Sequence, residues 1–398
     1  MTTPLQDAYL VAAVRTPVAR RNGAFRHARP DDLLAHALRE LVARAPGLDP
    51  AEIADVIVGC AMPEAEQGMN VARIGLLLAG LPASVPGFTV NRFCASGLQA
   101  VADAAARIRS GEAEVMIAAG VESMTVMTKM MGNRVRPNPA FFEHDEHRAI
   151  AWGMGLTAEE VARRWNVSRA EQDAFAVESH KRAIAAIDAG RFADEIAPYI
   201  TTSARPGSDG QPLRTTSVVT HDEGPRRDAS PERIGALRPV FAADGSVTAG
   251  NASQMSDGAA AVLLMSEVAL KRSGLQPIAR FVAHAVAGVP PEVMGIGPVE
   301  AIPRALARAG WRQDSLDWIE LNEAFAAQAI AVRRTLGLDP AQINPLGGAI
   351  ALGHPLGATG AIRTATLLAA MKRGDARRGM VTMCIGTGMG AAGVIERV

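Results

Sequence analysis

The strongest constraint on this chain is a repeated grammar: short apolar runs separated by longer stretches with helical spacing. Residues 9–14, 54–59 and 115–119 are compact and apolar, as expected of strands buried on both faces of a sheet. Asp31 and Asp32 open a helical stretch, because acidic side chains suit the positive N-terminal end of a helix. Leu33, Leu34, Ala37, Leu38, Leu41 and Val42 then recur at helical spacing. The last third repeats the pattern. Residues 278–284, 318–321 and 381–385 read as strands, and 298–309 as a helix with Pro298 in its first turn. Alternation of this kind predicts an α/β sheet carrying helices on its faces. The strand at 381–385 is taken as the last, ahead of a glycine-rich end.

The two halves echo one another. A Gly/Ser-containing turn leads into an alanine-rich helix at 95–108, followed by a strand and a glycine at 114–120. Later, 353–360 leads into an alanine-rich helix at 361–371, again followed by a strand and glycines at 380–386. The pattern suggests duplication of one α/β unit. Residues 124–252 differ. They hold eight of the sixteen aromatics and the polar, proline-punctuated stretches at 133–139 and 203–214. That shift predicts an excursion inserted between two α/β halves.

Composition narrows the function. At 398 residues the chain is long for a single core. Lys+Arg and Asp+Glu are equal at 41, so no basic surface advertises nucleic acid or an anionic membrane. Three cysteines, Cys60, Cys94 and Cys384, are too few and odd in number for a disulfide framework, and no spacing resembles a zinc site. Neither a signal peptide nor a run of about 18 apolar residues is seen. A soluble cytoplasmic protein is expected.

Chemistry concentrates in a few motifs. Cys94 lies in Thr89-Val-Asn-Arg-Phe-Cys-Ala-Ser-Gly-Leu, where a β-favouring segment gives way to a helix. A helix N-terminus offers free N–H groups that stabilise a thiolate, so a lowered thiol pKa is expected there. The other reading is a small packing cysteine. His354 lies in Asn344-Pro-Leu-Gly-Gly-Ala-Ile-Ala-Leu-Gly-His-Pro-Leu-Gly-Ala-Thr-Gly, a run rich in glycine. Glycines let backbone approach a ligand closely, and an imidazole among them can act as general base to a thiol. A structural turn is the alternative.

Cys384, in Met383-Cys-Ile-Gly-Thr-Gly-Met-Gly, ends a predicted strand and by itself reads as buried packing. Cys60 also ends a predicted strand and is assigned to packing. Asn322-Glu-Ala-Phe follows the strand at 318–321; its amide suits either a helix cap or an oxyanion donor. Gly388, Gly390 and Gly393 match a dinucleotide-binding spacing, but only five residues follow, so no βαβ unit can continue and a nicotinamide site is excluded. Met124, Met127, Met130 and Met131 fall at near-helical spacing, either as a packing face or as lining for an acyl pocket.

Taken together, these segments resemble the thiolase family over nearly the whole chain, from Arg15-Thr-Pro to Ile395-Glu-Arg-Val. The specific pieces are Val90-Asn-Arg-Phe-Cys-Ala-Ser-Gly, Gly250-Asn-Ala-Ser, Asn322-Glu-Ala-Phe-Ala-Ala-Gln, Gly348-Ala-Ile-Ala-Leu-Gly-His-Pro-Leu-Gly and Met383-Cys-Ile-Gly. The resemblance implies a five-layered α-β-α-β-α core of two similar α/β halves: residues 1–123 with 253–277, and 278–398. Residues 124–252 would be a loop domain for coenzyme A and acyl binding.

It also implies that Cys94 is the acylated nucleophile, that His354 activates it, and that Cys384 moves the proton of the acetyl carbon. Asn322 would hold a water that forms one oxyanion hole with His354. The N–H groups of Cys94 and Gly386 would form the other. Met154, Arg226, Ser253 and Phe325 would contact the coenzyme A arm, with Arg227 a competitor for the role of Arg226. Coenzyme A would be a co-substrate, with no tightly bound cofactor and no metal. A homodimer or homotetramer is implied, and a hydratase–dehydrogenase partner subunit is a further option.

One position departs from the pattern of biosynthetic acetoacetyl-CoA thiolases. Those have a histidine directly before the Met-Gly of the loop domain, whereas this chain has Gly153, in Trp152-Gly-Met-Gly. That favours the degradative branch, which cleaves 3-ketoacyl-CoAs. The alternatives are an acetoacetyl-CoA-specific thiolase, a decarboxylating ketosynthase and a non-catalytic lipid-binding relative. A ketosynthase would carry histidine at Asn322 and no thiol at Cys384.

Overall fold

In the computed structural model, residues 5–130, 136–206 and 211–398 are described. The first half runs β1 (Tyr9–Arg15), β2 (Ala19–Arg20), α1 (Pro30–Ala43), β3 (Asp55–Gly59), α2 (Val71–Leu78), β4 (Gly87–Val90), α3 (Ser96–Arg109) and β5 (Val115–Ser123). The chain then leaves the sheet through α4 (Met124–Met130), α5 (Ala140–Glu143), α6 (Asp145–Arg148), α7 (Met154–Arg164) and α8 (Arg169–Asp188). A hairpin of β6 (Tyr199–Pro206) and β7 (Pro212–Val219) follows, then α9 (Pro231–Gly235). The chain returns as β8 (Ser256–Met265) and α10 (Glu267–Ser273). The second half is β9 (Ala279–Gly288), α11 (Gly297–Ala309), β10 (Trp318–Leu321), α12 (Ala326–Leu336), α13 (Ala349–Leu352), α14 (Leu356–Arg373), β11 (Arg378–Ile385) and β12 (Met389–Arg397).

Local sequence explains these boundaries. Pro30 and two aspartates start α1. Ser168 and Glu171 form a reciprocal capping box on α8. The expected last strand is longer than 381–385, and β12 lies beyond it where a glycine-rich end was anticipated. The glycines of β12 serve packing: a Cβ at Gly390 would sit 2.1 Å from the Gly297 carbonyl oxygen at the start of α11. A nucleotide loop is not what they make.

The duplication is visible in the sheet. The first half has the order β1-β8-β5-β3-β4, with antiparallel, antiparallel, parallel and parallel neighbours. The second has β9-β12-β11-β10 with antiparallel, antiparallel and parallel neighbours, and a parallel bridge from Ile319 to Ile343 stands where a fifth strand would be. A short β1–β9 pairing joins the two.

Period-2 alternation sorts the strand side chains between layers. Val56, Val58, Val115, Ile117 and Ala119 pack outward with Leu33, Leu38 and Leu76 of α1 and α2. Ile57, Met116 and Ala118 pack inward with α3 and α14, as do Val381 and Met383 from the second half. Ile319, Leu321 and Met380 face α11 and α12. The result is the five-layered α-β-α-β-α arrangement, with α3 and α14 in the middle layer. Glycines allow that close crossing: a Cβ at Gly97 would lie 2.8 Å from the Gly357 carbonyl oxygen.

Candidate active site

Cys94 sits in a single 3-10 turn, Phe93–Ala95, between β4 and α3. The turn is wired from both sides. Asn91 Oδ1 accepts from the Phe93 N–H at 2.8 Å, and its amide donates to the Ala61 carbonyl at 3.0 Å. Ser96 Oγ accepts the Arg92 N–H and donates to the Phe93 carbonyl. Phe93 takes a left-handed φ of 44° to turn the chain, a conformation that is costly for a non-glycine residue.

The Cys94 thiol is within reach of the Gly386 N–H and its own N–H. The expected lowering of its pKa does not occur. Burial pushes the thiol up to about 11, the two N–H groups pull the other way, and the carboxylate of Glu122 adds to the rise. The helix begins two residues later and no cation stands beside the sulfur in that balance, so desolvation wins.

His354 follows Gly353, whose φ of 93° ends the short helix α13. Its N–H is shared between the Gln254 carbonyl and Ser256 Oγ, both at 3.2 Å. Its Nδ1 lies 2.6 Å from Thr359 Oγ1, and that hydroxyl donates to the Pro355 carbonyl at 2.9 Å. A hydroxyl has one proton to give, so we assign the ring proton to Nδ1 and the lone pair to Nε2. Asn322 Nδ2 stands 3.3 Å from Nε2. Burial, with Arg363 adding to it, pushes the imidazole down to about 3. His354 is therefore a neutral base at neutral pH.

Asn322 leaves the end of β10, its N–H bonded to the Thr382 carbonyl at 2.9 Å. Its Oδ1 is buried and without a partner among the described residues. An orphan acceptor in a site is a place for a donor from water or substrate. Cys384, on β11 opposite Gly390, is buried, and its thiol is raised by burial and by neighbouring Cys94. The two thiols thus lie close enough to influence one another.

The candidate coenzyme A contacts lie around this cluster. Met154 begins α7, and its Sδ would be 3.4 Å from a Cβ on Gly386. Phe325 shares an apolar cluster with Cys384, Met294 and Ala158, and meets Phe241 edge-on at 6.2 Å. The Ser253 N–H donates to the Ala324 carbonyl. Arg226 lines a cavity of about 460 Å³ with His180, Arg233, Gly250, Gln254 and Ile350, and Gln254 carries that wall to His354. Arg227 is committed to Asp188 by a bidentate pair, whereas Arg226 has no ion pair among the described residues. That separates the two arginines.

Beside Gly153 nothing lies within 4 Å of an added Cβ. Met124 and Met127 are buried on α4. The Met130 side chain and all of Met131 lie outside the described residues. Cys60 is buried, 3.9 Å from Glu122. Sequence reasoning missed Thr359, Ser256, Gln254 and Glu122. Only Thr359 carried a signal, as the hydroxyl one turn into the helix after His354.

Two interacting thiols, a half-buried Cys94 and a buried Cys384, with a neutral imidazole on a duplicated α/β fold, fit a thiol-dependent acyltransferase. Residues 8–268 match the family model of the thiolase N-terminal domain, and residues 275–397 that of the thiolase C-terminal domain. A 3-ketoacyl-CoA thiolase of Bacillus subtilis (strain 168) is 51% identical over 393 residues, covering 98% of this chain and 100% of that protein. A peroxisomal 3-ketoacyl-CoA thiolase 2 of Arabidopsis thaliana is 48% identical, covering 98% of this chain and 84% of its own. The crystal structure of the Bacillus anthracis acetyl-CoA acetyltransferase superposes with a TM-score of 0.88 at 38% identity, covering 99% of this chain and 100% of that one. The chain belongs to the thiolase family.

Proposed function

We propose that this enzyme cleaves 3-ketoacyl-CoA with coenzyme A to acetyl-CoA and a shortened acyl-CoA, through an acyl-Cys94 intermediate. The observation that carries this is the interaction of the Cys94 and Cys384 thiols in a site whose His354 is held neutral, with Nε2 against Asn322. Cys94 gives its proton to His354 Nε2 as the sulfur attacks the 3-keto carbon. The tetrahedral oxyanion falls to the N–H groups of Cys94 and Gly386. The bond to the acetyl carbon then breaks. The departing thioester enolate is held by His354 and by a water on Asn322, and takes a proton from Cys384. Coenzyme A finally attacks the thioester, giving its thiol proton to the Cys384 sulfur, and the Cys94 sulfur leaves and takes its proton back from His354. Because the resting pair is a high-pKa thiol and a low-pKa imidazole, ionisation is driven by attack and not stored beforehand.

Residues 124–252 supply most of the coenzyme A and acyl surface in this reading, with Met154 and Arg226 as contacts, joined by Ser253 and Phe325 from outside that stretch. Gly153 leaves room for an acyl chain, which supports the degradative branch and a role in fatty-acid β-oxidation. The name of the Bacillus anthracis neighbour favours the narrower alternative, an enzyme confined to acetoacetyl-CoA. A homodimer or homotetramer is supported by the outer edge of β4, which has no strand partner among the described residues, and by exposed Leu77 and Leu78 on α2. Three free cysteines suit a cytoplasmic setting. Thiolysis assays across 3-ketoacyl-CoA chain lengths test the proposal. Turnover of chains beyond acetoacetyl-CoA is expected; turnover of none would overturn it, and turnover of acetoacetyl-CoA alone would select the narrower enzyme.

A further inference from the structure

Glu122 takes no part in the chemistry above, yet it is buried beside it, near the end of β5. Its Oε2 accepts two N–H groups, those of Ala61 and Gly357, both at 2.8 Å. Its Oε1 accepts from the Gln67 side-chain amide, and the Cys60 thiol lies 3.9 Å away. No arginine or lysine pairs with it among the described residues. An unpaired buried carboxylate is expensive, and here its partners span three separate segments. Ala61 lies in the loop after β3. Gln67 lies in the turn before α2. Gly357 lies in the first turn of α14, three residues after His354.

The fit at that point is tight. A Cβ on Gly357 would stand 2.6 Å from the Cys60 Cα and 2.9 Å from Glu122 Oε2. The titratable groups facing Glu122 are Cys60, after β3, and Cys94, ahead of α3. The α14 turn and Gln67 present only a backbone N–H and a carboxamide. We propose that Glu122 is a positioning residue: it ties the His354-bearing turn of α14 to the loop after β3 and to the turn before α2. Burial pushes the carboxyl up to about 7, so the charge is partly present at neutral pH. The tie keeps His354 in place.

Two variants of the full-length enzyme test the tie. Glu122→Gln keeps one carbonyl oxygen for the two N–H groups, and its kcat should stay within about threefold of native. Glu122→Ala removes the tie, and kcat should fall by about 10²-fold with the KM for coenzyme A within about twofold. If the alanine variant does not fold, Glu122→Asp, too short to span both N–H groups, is read in the same way. A glutamine variant as impaired as the alanine variant overturns the proposal, as does native kcat in the alanine or aspartate variant. The proposal rests on the acyl-transfer reading above: a native enzyme inert towards every 3-ketoacyl-CoA sinks that reading, whereas native turnover in the alanine variant sinks only the placement of Glu122.

Discussion

His354 Nδ1 lies 2.6 Å from Thr359 Oγ1, one helical turn further along the chain, and that contact decides which face of the imidazole is basic. Because Thr359 spends its own proton on the Pro355 carbonyl, Nε2 is left as an acceptor in the site. Thr359→Val keeps the shape and loses the hydroxyl. Its kcat should drop by about 10- to 10²-fold, with little change in KM, as the ring loses its tautomer and orientation. Thr359→Ser should recover most of the loss. A valine variant with native kcat would show that the imidazole is oriented by packing alone.

The resting site should be chemically quiet. With the Cys94 thiol near 11, its alkylation in the free enzyme should be slower at pH 7 than that of free cysteine, and should rise towards a midpoint near pH 11. His354, pushed down to about 3, carries no charge to gain as pH falls from 7 to 5, so the acid limb of the kcat profile should show no step near 6.5 from this imidazole. Alkylation kinetics and a pH–rate profile check both statements, and a midpoint below 8 for Cys94 would contradict the first. After incubation with acyl-CoA and no free coenzyme A, mass spectrometry should find the acyl group on Cys94, not on Cys60 or Cys384.

The two thiols should fail at different steps. Cys94→Ala should form no acyl-enzyme. Cys384→Ala should still accept an acyl group from a simple acyl-CoA, since that transfer breaks no carbon–carbon bond. Its cleavage rate should fall by about 10²–10⁴-fold, the usual contribution of a general acid–base group. Exchange of acetyl-CoA α-protons with deuterated water should fall in parallel. Native exchange in Cys384→Ala would reduce this thiol to packing.

Gly153→His places an imidazole where nothing now stands within 4 Å of the Cβ position. Turnover of long 3-ketoacyl-CoAs should fall relative to acetoacetyl-CoA, with kcat on acetoacetyl-CoA nearly unchanged. The ratio of kcat/KM values across chain lengths is the measurement. An unchanged ratio would show that position 153 does not meet the acyl chain.

Much of this protein was legible in its sequence because the signals are local. Strand and helix periodicity, Pro30 and Pro298 in first turns, and the motifs around Cys94, His354, Asn322 and Cys384 all act over a few residues. They pointed to an α/β fold of two similar halves and to the candidate reacting groups. The last strand was missed because β12 owes its glycines to the approach of Gly297, 93 residues away from Gly390.

Tertiary structure decided what those groups are like. The helix rule implied an acidic Cys94 thiol, but desolvation and the Glu122 charge outweigh the two nearby N–H groups. Thr359 sets the histidine tautomer, and Arg226 lines the cavity beside Gln254 while Arg227 pairs with Asp188. A pKa, a tautomer and a free guanidinium each depend on burial and on partners that folding brings from distant parts of the chain. Short-range pattern in the sequence therefore determined which atoms could react, and only the assembled layers determined their charge and aim.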